Sequence, residues 1–228
     1  PEEVGWEQEN DVLDTWFSSG LWTFSTLGWP NETDDLKKYH STTLIETGHD
    51  ILFFWVARMI LMSTAIMGTV PFKKVYLHGL VRDAQGRKMS KSLGNGIDPL
   101  EMADKYGADA TRFSLIIGAS AGNDLKLSED RIRGYRNFST KIWNIARFIN
   151  MNKPEGLAGG RPGITIADRT EVKELQALKT EVTAHIECFE FHLAGEKLYH
   201  YIWHTLADKI VEDEKKTLHD GSNKEKLE

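Results

Sequence analysis

The chain has 228 residues, of which 40% are hydrophobic and 27% are charged, as is ordinary for a soluble globular protein with one large or two modest domains. Its formal net charge of −6 gives no overall attraction for nucleic acid, so a contact with RNA has to come from a local basic cluster. The single cysteine, Cys188, excludes an intrachain disulfide and a cysteine-rich zinc cluster within this chain.

The first third of the chain predicts helix, strand, helix and strand. Residues 14–27 are rich in aromatic side chains and predict a helix, and the polar residues 31–40 predict a loop. The β-branched run 42–46 predicts a strand. Residues 50–67 predict a helix that is apolar nearly all round, contains Arg58 and is short for a bilayer span, so we expect it to be buried.

A second strand is expected at residues 74–78, which completes a βαβ unit with parallel strands. Ligands in such sheets bind beyond the carboxyl ends of the strands. Residues 48–50 and 78–79 occupy those ends, so we expect a binding site there.

Residues 86–96 form a loop with glycines at three positions, and Lys88 and Lys91 lie three residues apart within it. Two flexible ammonium groups suit a polyphosphate, because each acts as a mobile point charge. For a lysine pair taken by itself, a solvated basic turn is the favoured interpretation.

The rest of the chain predicts helices. Asp98 and Pro99 suit the N-cap and first position of a helix that should stop at Gly107. Four further helices are expected, and short connections favour an antiparallel bundle. They are predicted at residues 109–117, 130–151, 170–187 and 191–214, with a loop at 152–163 and a frayed tail after 215.

One helix of this acidic chain carries a basic stripe. Between residues 126 and 147 there are six basic side chains and two acidic ones, Glu129 and Asp130. The stripe predicts either contact with RNA phosphates or a solvated helix face. Its members are Lys126, Arg131, Arg133, Arg136, Lys141 and Arg147.

Several segments resemble one family. Residues 88–92, Lys-Met-Ser-Lys-Ser, match the second signature of class I aminoacyl-tRNA synthetases. Residues 47–59 resemble the strand-to-helix segment of the valyl-tRNA synthetases, and residues 11–19 resemble the point where that chain re-enters the catalytic domain after its editing domain. Residues 107–110 resemble the junction with the anticodon-binding domain, and residues 141–144 resemble the first helix of that domain. The resemblance extends to about residue 213.

The resemblance implies an α/β fold followed by an all-α one. Residues 1–85 would be the second half of a Rossmann-type nucleotide-binding domain with parallel strands. Residues 86–128 would carry the lysine loop and the region that contacts the tRNA stem. Residues 129–228 would form part of a helical-bundle anticodon-binding domain.

The implied function is ATP-dependent activation of valine and its transfer to tRNA(Val). Mg²⁺ is expected to accompany ATP, although no protein ligands for it are identified. We expect a cytoplasmic monomer without a membrane partner, because the first residues also lack a basic region followed by an apolar one.

The resemblance also assigns roles to individual residues. Lys88 and Lys91 would be catalytic, and Trp16, Ile51 and Trp55 would line the valine pocket. ATP would contact Gly48, Asp50, His78, Gly79, Lys88, Met89, Ser90, Lys91 and Ser92. The tRNA would contact Arg131, Arg133, Arg136 and Lys141. No metal site is predicted.

Each role has a structural alternative, in which Asp50 caps a helix, His78 ends a strand and the tryptophans pack a core. The first class I signature and the editing domain are not found in these 228 residues, so we expect the chain by itself to be inactive. Two other identities stay open. One is a sister isoleucyl- or leucyl-type synthetase, and the other is a non-catalytic tRNA-binding paralogue.

Overall fold

A computed structural model describes residues 9–152 and 166–219. The chain divides into two units, residues 1–78 and 79–228, each of which is described by itself. Residues 153–163 of the predicted interdomain loop and most of the predicted tail lie outside the described residues.

Helices flank a parallel pair of strands in the first unit. Its elements are α1 (Thr15–Gly20), α2 (Trp22–Ser25), α3 (Asp34–Tyr39), β1 (Thr42–Gly48), a 3₁₀ turn (His49–Ile51), a π-helical turn (Leu52–Val56), α4 (Ala57–Met67) and β2 (Phe72–His78).

The strands confirm the predicted βαβ unit. β1 and β2 pair in parallel, with Thr42 opposite Phe72 and Gly48 opposite His78. Both strands are longer than predicted, and the register brings their carboxyl ends to the same edge. The candidate site residues at positions 48 and 78 therefore face each other across the pair.

Two secondary-structure predictions for the first unit were wrong. The helix expected over residues 14–27 is interrupted at Leu21, which separates α1 from α2. The segment expected to be a loop contains α3, whose N-terminus is capped by the Thr33 hydroxyl accepting from the Leu36 amide at 3.1 Å. Asp34 and Asp35 in its first turn and two lysines in its last turn complement the helix dipole. These local signals outweigh the low hydrophobicity of the segment.

The long apolar helical stretch is only half covered, contrary to the prediction that it is buried. Val56 and Met59 pack with Phe72 of β2 in a buried cluster. The opposite side is open to solvent, with Phe53 80% exposed and Leu61 69% exposed. By length and composition His49–Met67 could cross a membrane, a property that core helices of soluble proteins share.

The second unit is mainly helical, as predicted. Its elements are β3 (Val81–Arg82), α5 (Pro99–Tyr106), α6 (Ala108–Ile116), β4 (Leu125–Lys126), α7 (Glu129–Met151), α8 (Ile166–Glu187), α9 (Phe191–His200), a π-helical segment (Tyr201–Val211) and α10 (Glu212–His219). The two short parallel strands were not predicted, because two residues are too few for a sequence pattern.

Two apolar clusters hold this unit together. Met102, Ala110, Leu127 and Ile132 form a buried group beneath α5, α6 and α7. Farther along α7, the ring of Phe138 is buried against three other aromatic rings, at centroid distances of 4.5 to 6.2 Å. These rings belong to Phe113, Tyr199 and Trp203. The second cluster therefore joins α6, α7 and the last helical stretch into one bundle.

Candidate functional site

The carboxyl end of the β1–β2 pair gathers three predicted ATP-binding residues. A Cβ atom at Gly48 would lie 2.6 Å from Asp50 Oδ1 and 3.5 Å from His78 Cε1, so the side chains of Asp50 and His78 both lie next to the main chain of residue 48. His78 Nε2 lies 3.1 Å from Glu46 Oε1. This edge of the pair therefore places a carboxylate and an imidazole next to main chain that carries no side chain.

The three predicted valine-pocket residues are half-buried and lie where α1 approaches the π-helical turn. Trp55 Nε1 donates to the Ser19 carbonyl at 3.1 Å, which fixes the indole against α1. The Trp16 ring lies 5.6 Å from that of Phe54. Ile51 ends the 3₁₀ turn just before the π-helical turn, an element that is often found at functional sites.

The lysine loop in the second unit is fastened at its first residues. The main chain of Lys88 forms an isolated antiparallel β-bridge with that of Arg82 in β3. Next to it, the Met89 amide donates a hydrogen bond to the Val81 carbonyl at 3.5 Å. The Met89 side chain packs against the buried cluster under α5 to α7. Lys88 and Lys91 are exposed. The loop therefore has an anchored start, and both of its lysines lie at the surface.

Sequence reasoning missed a polar network beneath this loop. The buried Asp83 carboxylate accepts hydrogen bonds from the Arg87 amide at 2.8 Å and from Asn95 Nδ2 at 2.9 Å. Asn95 Oδ1 accepts from the Ser90 amide at 3.0 Å, and Nδ2 also donates to the Lys88 carbonyl at 3.3 Å. An aspartate that opens a turn is a recognisable signal, but its link to Asn95 is not local.

These hydrogen bonds change the acidity of Asp83. The hydrogen bond from Asn95 is the largest cause that lowers the pKa of the Asp83 carboxyl, and those from Arg87 act in the same direction. Burial opposes them, and the resulting pKa is about 2. Asp83 is therefore ionised at neutral pH, when it can only accept hydrogen bonds.

Gly79 packs closely against the main chain of a neighbouring loop. A Cβ atom at this position would lie 1.8 Å from the Asn123 carbonyl oxygen. The next residue is tied to the same loop, since the Leu80 amide donates to Asp124 Oδ1 at 2.7 Å. Structure alone is thus sufficient to require glycine at residue 79, whether or not ATP contacts it.

The four predicted tRNA-binding residues differ in their surroundings. Arg131 donates to the Ser114 and Ile117 carbonyls at the end of α6. Lys141 contacts Asp208 at 2.9 Å and lies over the Trp203 ring at 4.1 Å. Arg133, paired with Asp130 at 2.7 Å, and Arg136 are exposed. Two of the four charges are thus engaged in holding the helical bundle together.

A mainly apolar cavity of about 710 Å³ lies between α6 and α7. None of the predicted site residues is among the described residues that line this cavity. Its walls are formed by Asp109, Arg112, Phe113, Leu115, Ile116, Phe138, Ser139, Ile142, Trp143 and Ala146. In the described parts of the chain, no three His, Cys, Asp or Glu side chains are grouped so that they could hold a metal ion.

Comparison with known families agrees with this architecture. A family model described as tRNA synthetases class I (I, L, M and V) matches residues 2–128, more than half of the chain. A second model, for the anticodon-binding domain of tRNA ligase, matches residues 168–228. The chain therefore belongs to the class I tRNA synthetases.

Its similar relatives are valine–tRNA ligases. The protein of Clostridium acetobutylicum is 48% identical over 223 residues, which are 96% of this chain and 25% of that protein. The proteins of Streptococcus thermophilus and Solibacter usitatus are 48% and 52% identical over 100% and 90% of this chain. The chain spans about a quarter of the length of these relatives.

Solved structures share the fold. The LeuRS of Agrobacterium radiobacter K84, in a ternary complex with tRNA and LeuAMS, has a TM-score of 0.71 at 20% identity, over 88% of this chain and 28% of that one. Mycobacterium tuberculosis methionyl-tRNA synthetase, in complex with methionyl-adenylate, has a TM-score of 0.63 at 29% identity, over 77% of this chain and 35% of that one. The partial Rossmann-type domain and helical region predicted from the sequence are confirmed.

Proposed function

We propose that this chain is part of an enzyme that activates valine with ATP and transfers it to tRNA(Val). The observation that carries the proposal is the 48 to 52% identity to valine–tRNA ligases over at least 90% of the chain. Activation joins the valine carboxylate to the α-phosphorus of ATP and releases pyrophosphate; the valyl group then passes to the terminal ribose of the tRNA.

The proposal assigns a contact with the adenosine part of ATP to four of the predicted residues. Gly48 leaves room for the adenosine ribose, Asp50 accepts hydrogen bonds from ribose hydroxyls, and His78 and Gly79 line the adenine side. Asp50 Oδ1 would lie 2.6 Å from a Cβ at residue 48, so the carboxylate and the glycine are neighbours, which supports a shared contact with one ribose.

The lysine loop supplies positive charge to the departing pyrophosphate. Lys88 and Lys91 are exposed on an anchored loop, and Met89, Ser90 and Ser92 shape the main chain between and beside them. Positioning and charge neutralisation dominate phosphoryl chemistry. Loss of one preorganised charge contact should cost about 3 kcal/mol in the transition state. Mg²⁺ bound to ATP would neutralise further phosphate charge, and no residue of this chain is assigned to hold it.

The valine side chain would contact Trp16, Ile51 and Trp55. The hydrogen bond from Trp55 to Ser19 gives one wall a fixed orientation, as size selection requires. Such a pocket excludes isoleucine by bulk but rejects the nearly isosteric threonine weakly, a limit for which valyl-tRNA synthetases are themselves the standard illustration.

Contact with tRNA would use the basic stripe of α7. Arg133 and Arg136 are exposed and suit phosphate contacts, whereas Arg131 and Lys141 contribute by holding the helices that carry them. In this proposal, residues 1–85 belong to the catalytic domain, residues 86–128 carry the lysine loop and contact the tRNA stem, and residues 129–228 belong to the anticodon-binding domain. The parent enzyme would act as a cytoplasmic monomer.

The test is amino-acid-dependent exchange of pyrophosphate with ATP by the full-length enzyme. We expect exchange with valine, and a loss of about a hundredfold in Lys88→Ala or Lys91→Ala. Lys179→Ala, an exposed lysine on α8, is the control and should retain activity.

Other outcomes would identify the alternatives. Exchange with isoleucine or leucine but not valine would assign a sister synthetase. No exchange with any amino acid, together with tRNA binding, would assign a non-catalytic paralogue. The isolated 228-residue chain is expected to show no exchange.

A further inference from the structure

We propose that Asp83 and Asn95 are positioning residues for the lysine loop, and that they set the main-chain conformation from which Lys88 and Lys91 reach the phosphates. The proposal rests on the proposed function, because it assigns the loop a task in pyrophosphate release. It adds two residues that themselves touch no substrate.

Asn95 closes the loop with its side chain. One amide group accepts from the Ser90 N–H at 3.0 Å and donates to the Lys88 carbonyl at 3.3 Å. These two contacts lie on either side of Met89, whose partly buried side chain packs against the apolar cluster under α5 to α7. The main chain that leads into Lys91 is therefore held by Asn95, seven residues past Lys88, in addition to the contacts that Lys88 and Met89 make with β3.

Asp83 orients Asn95. Its ionised carboxylate can only accept, so the group that it contacts at 2.9 Å must be the Asn95 amide nitrogen. That assignment turns the Asn95 oxygen toward the Ser90 N–H. The same carboxylate accepts hydrogen bonds from the Arg87 amide and from Arg87 Nε, each at 2.8 Å. Asp83 therefore links the first and last residues of the turn that precedes Lys88.

The local chain would otherwise be loose. Lys91, Ser92 and Leu93 are exposed, and Gly94 has φ of +60°, a conformation in which glycine is favoured. Within the loop, Ser90 Oγ accepts from the Leu93 amide at 3.3 Å and lies 3.2 Å from Ser92 Oγ. These bonds shape the turn but do not attach it to the rest of the unit, as Asn95 does.

Loop order matters because the lysines act as positioned charges. A misplacement of about 1 Å at a reacting centre can reduce the rate about a hundredfold. Removing Asn95 should leave both lysines present but widen the range of positions they visit. We therefore expect Asn95→Ala in the full-length enzyme to lower the kcat of valine-dependent pyrophosphate exchange by about ten- to a hundredfold. The KM for valine should be unchanged.

The activity test uses a double-mutant cycle. If Asn95 acts through the loop, Asn95→Ala should cost much less in a Lys88→Ala background than in the wild-type enzyme. Asn95→Asp, which keeps the shape but replaces the donor by a second carboxylate facing Asp83, should lower kcat similarly. Asn152→Ala, which removes a side-chain hydrogen bond to the Phe148 carbonyl, is the matched control and should have no effect. Equal costs in the two backgrounds would overturn the proposal.

A second measurement is independent of activity. Trypsin cleavage after Lys88 and Lys91 in the full-length enzyme, followed by mass spectrometry, should be about tenfold faster in Asn95→Ala and Asp83→Asn, because cleavage follows the population of open loop. Cleavage as slow as in the wild-type enzyme would overturn the proposal. If the wild-type enzyme shows no valine-dependent exchange, the proposed function fails, whereas the cleavage experiment still decides whether the two residues hold the loop.

Discussion

Gly79 and Asn123 meet main chain to main chain, so closely that a Cβ atom on residue 79 would lie 1.8 Å from the Asn123 carbonyl oxygen. The Asn123 carbonyl belongs to the main chain, so it cannot rotate away as the end of a flexible side chain would. The loop before β4 is therefore set directly against the start of the second unit.

Gly79→Ala should destabilise the chain by about 3 kcal/mol or more, since overpacking against fixed backbone forces the loop to move. Gly134→Ala is the matched control, because Gly134 lies within α7 and its Cβ would meet nothing within 4 Å. That variant should be more stable by up to about 1 kcal/mol. Urea unfolding measures both, and similar stabilities for the two variants would contradict the contact.

Phe138→Ala should cost about 3 to 5 kcal/mol of folding free energy, because its ring is 1% exposed and is surrounded by other aromatic rings. Trp143→Ala, five residues along the same helix, removes a larger ring that is 72% exposed and should change stability by less than about 0.5 kcal/mol. Thermal unfolding of the two variants side by side provides the measurement. A larger loss for Trp143→Ala would show that the helix faces are wrongly assigned.

Arg131 and Arg133 should separate folding from RNA binding. Arg131→Ala leaves the Ser114 and Ile117 carbonyls without their donor and should lower stability by about 1 to 3 kcal/mol. Arg133→Ala and Arg136→Ala should leave stability unchanged, weaken tRNA binding and each reduce the salt dependence of binding by about one unit of slope. Titration of tRNA at several salt concentrations tests this, and an unchanged slope would remove these arginines from the interface.

The Asp83 network should withstand mild acid. The pKa of Asp83 is lowered from 3.8 to about 2 in the folded chain. A carboxyl with a lowered pKa contributes stability above its unfolded pKa and loses that contribution as the pH falls through the folded pKa. We therefore expect the loop contacts to persist from pH 7 to about 5 and to open between about pH 4 and 2. Carbon NMR of labelled aspartate measures the Asp83 titration, and a midpoint at its usual value would contradict the network.

Features set by neighbouring residues were predictable from the sequence. Asp98 caps α5 by accepting from the Leu100 amide at 2.8 Å, and the helix ends before Gly107, as expected. The parallel pairing of β1 and β2 was predicted because a helix connects these two strands along the chain. Thr33 and the acidic residues after it were an equally local signal for α3, which the polarity of the segment obscured.

Features that depend on distant contacts could not be read in this way. The basic stripe predicts a charged face, but only the fold shows that Arg131 reaches the end of α6, fourteen residues back at Ile117. The same holds for Asp83 and Asn95, which are twelve residues apart. Burial of the helix at residues 57–67 was overestimated because periodicity reports apolar faces and does not report what covers them.

The side chain of Asn95 also makes the loop a segment of defined length. Because one amide contacts both the Lys88 carbonyl and the Ser90 N–H, the number of residues between these partners and Asn95 is fixed. Substitutions at the exposed positions 91–93 keep that count, whereas an inserted or deleted residue there would move Asn95 away from Lys88, Ser90 or Asp83. Sequence variation in this loop should therefore take the form of exchanges, and changes of length should be confined to the chain outside residues 83–95.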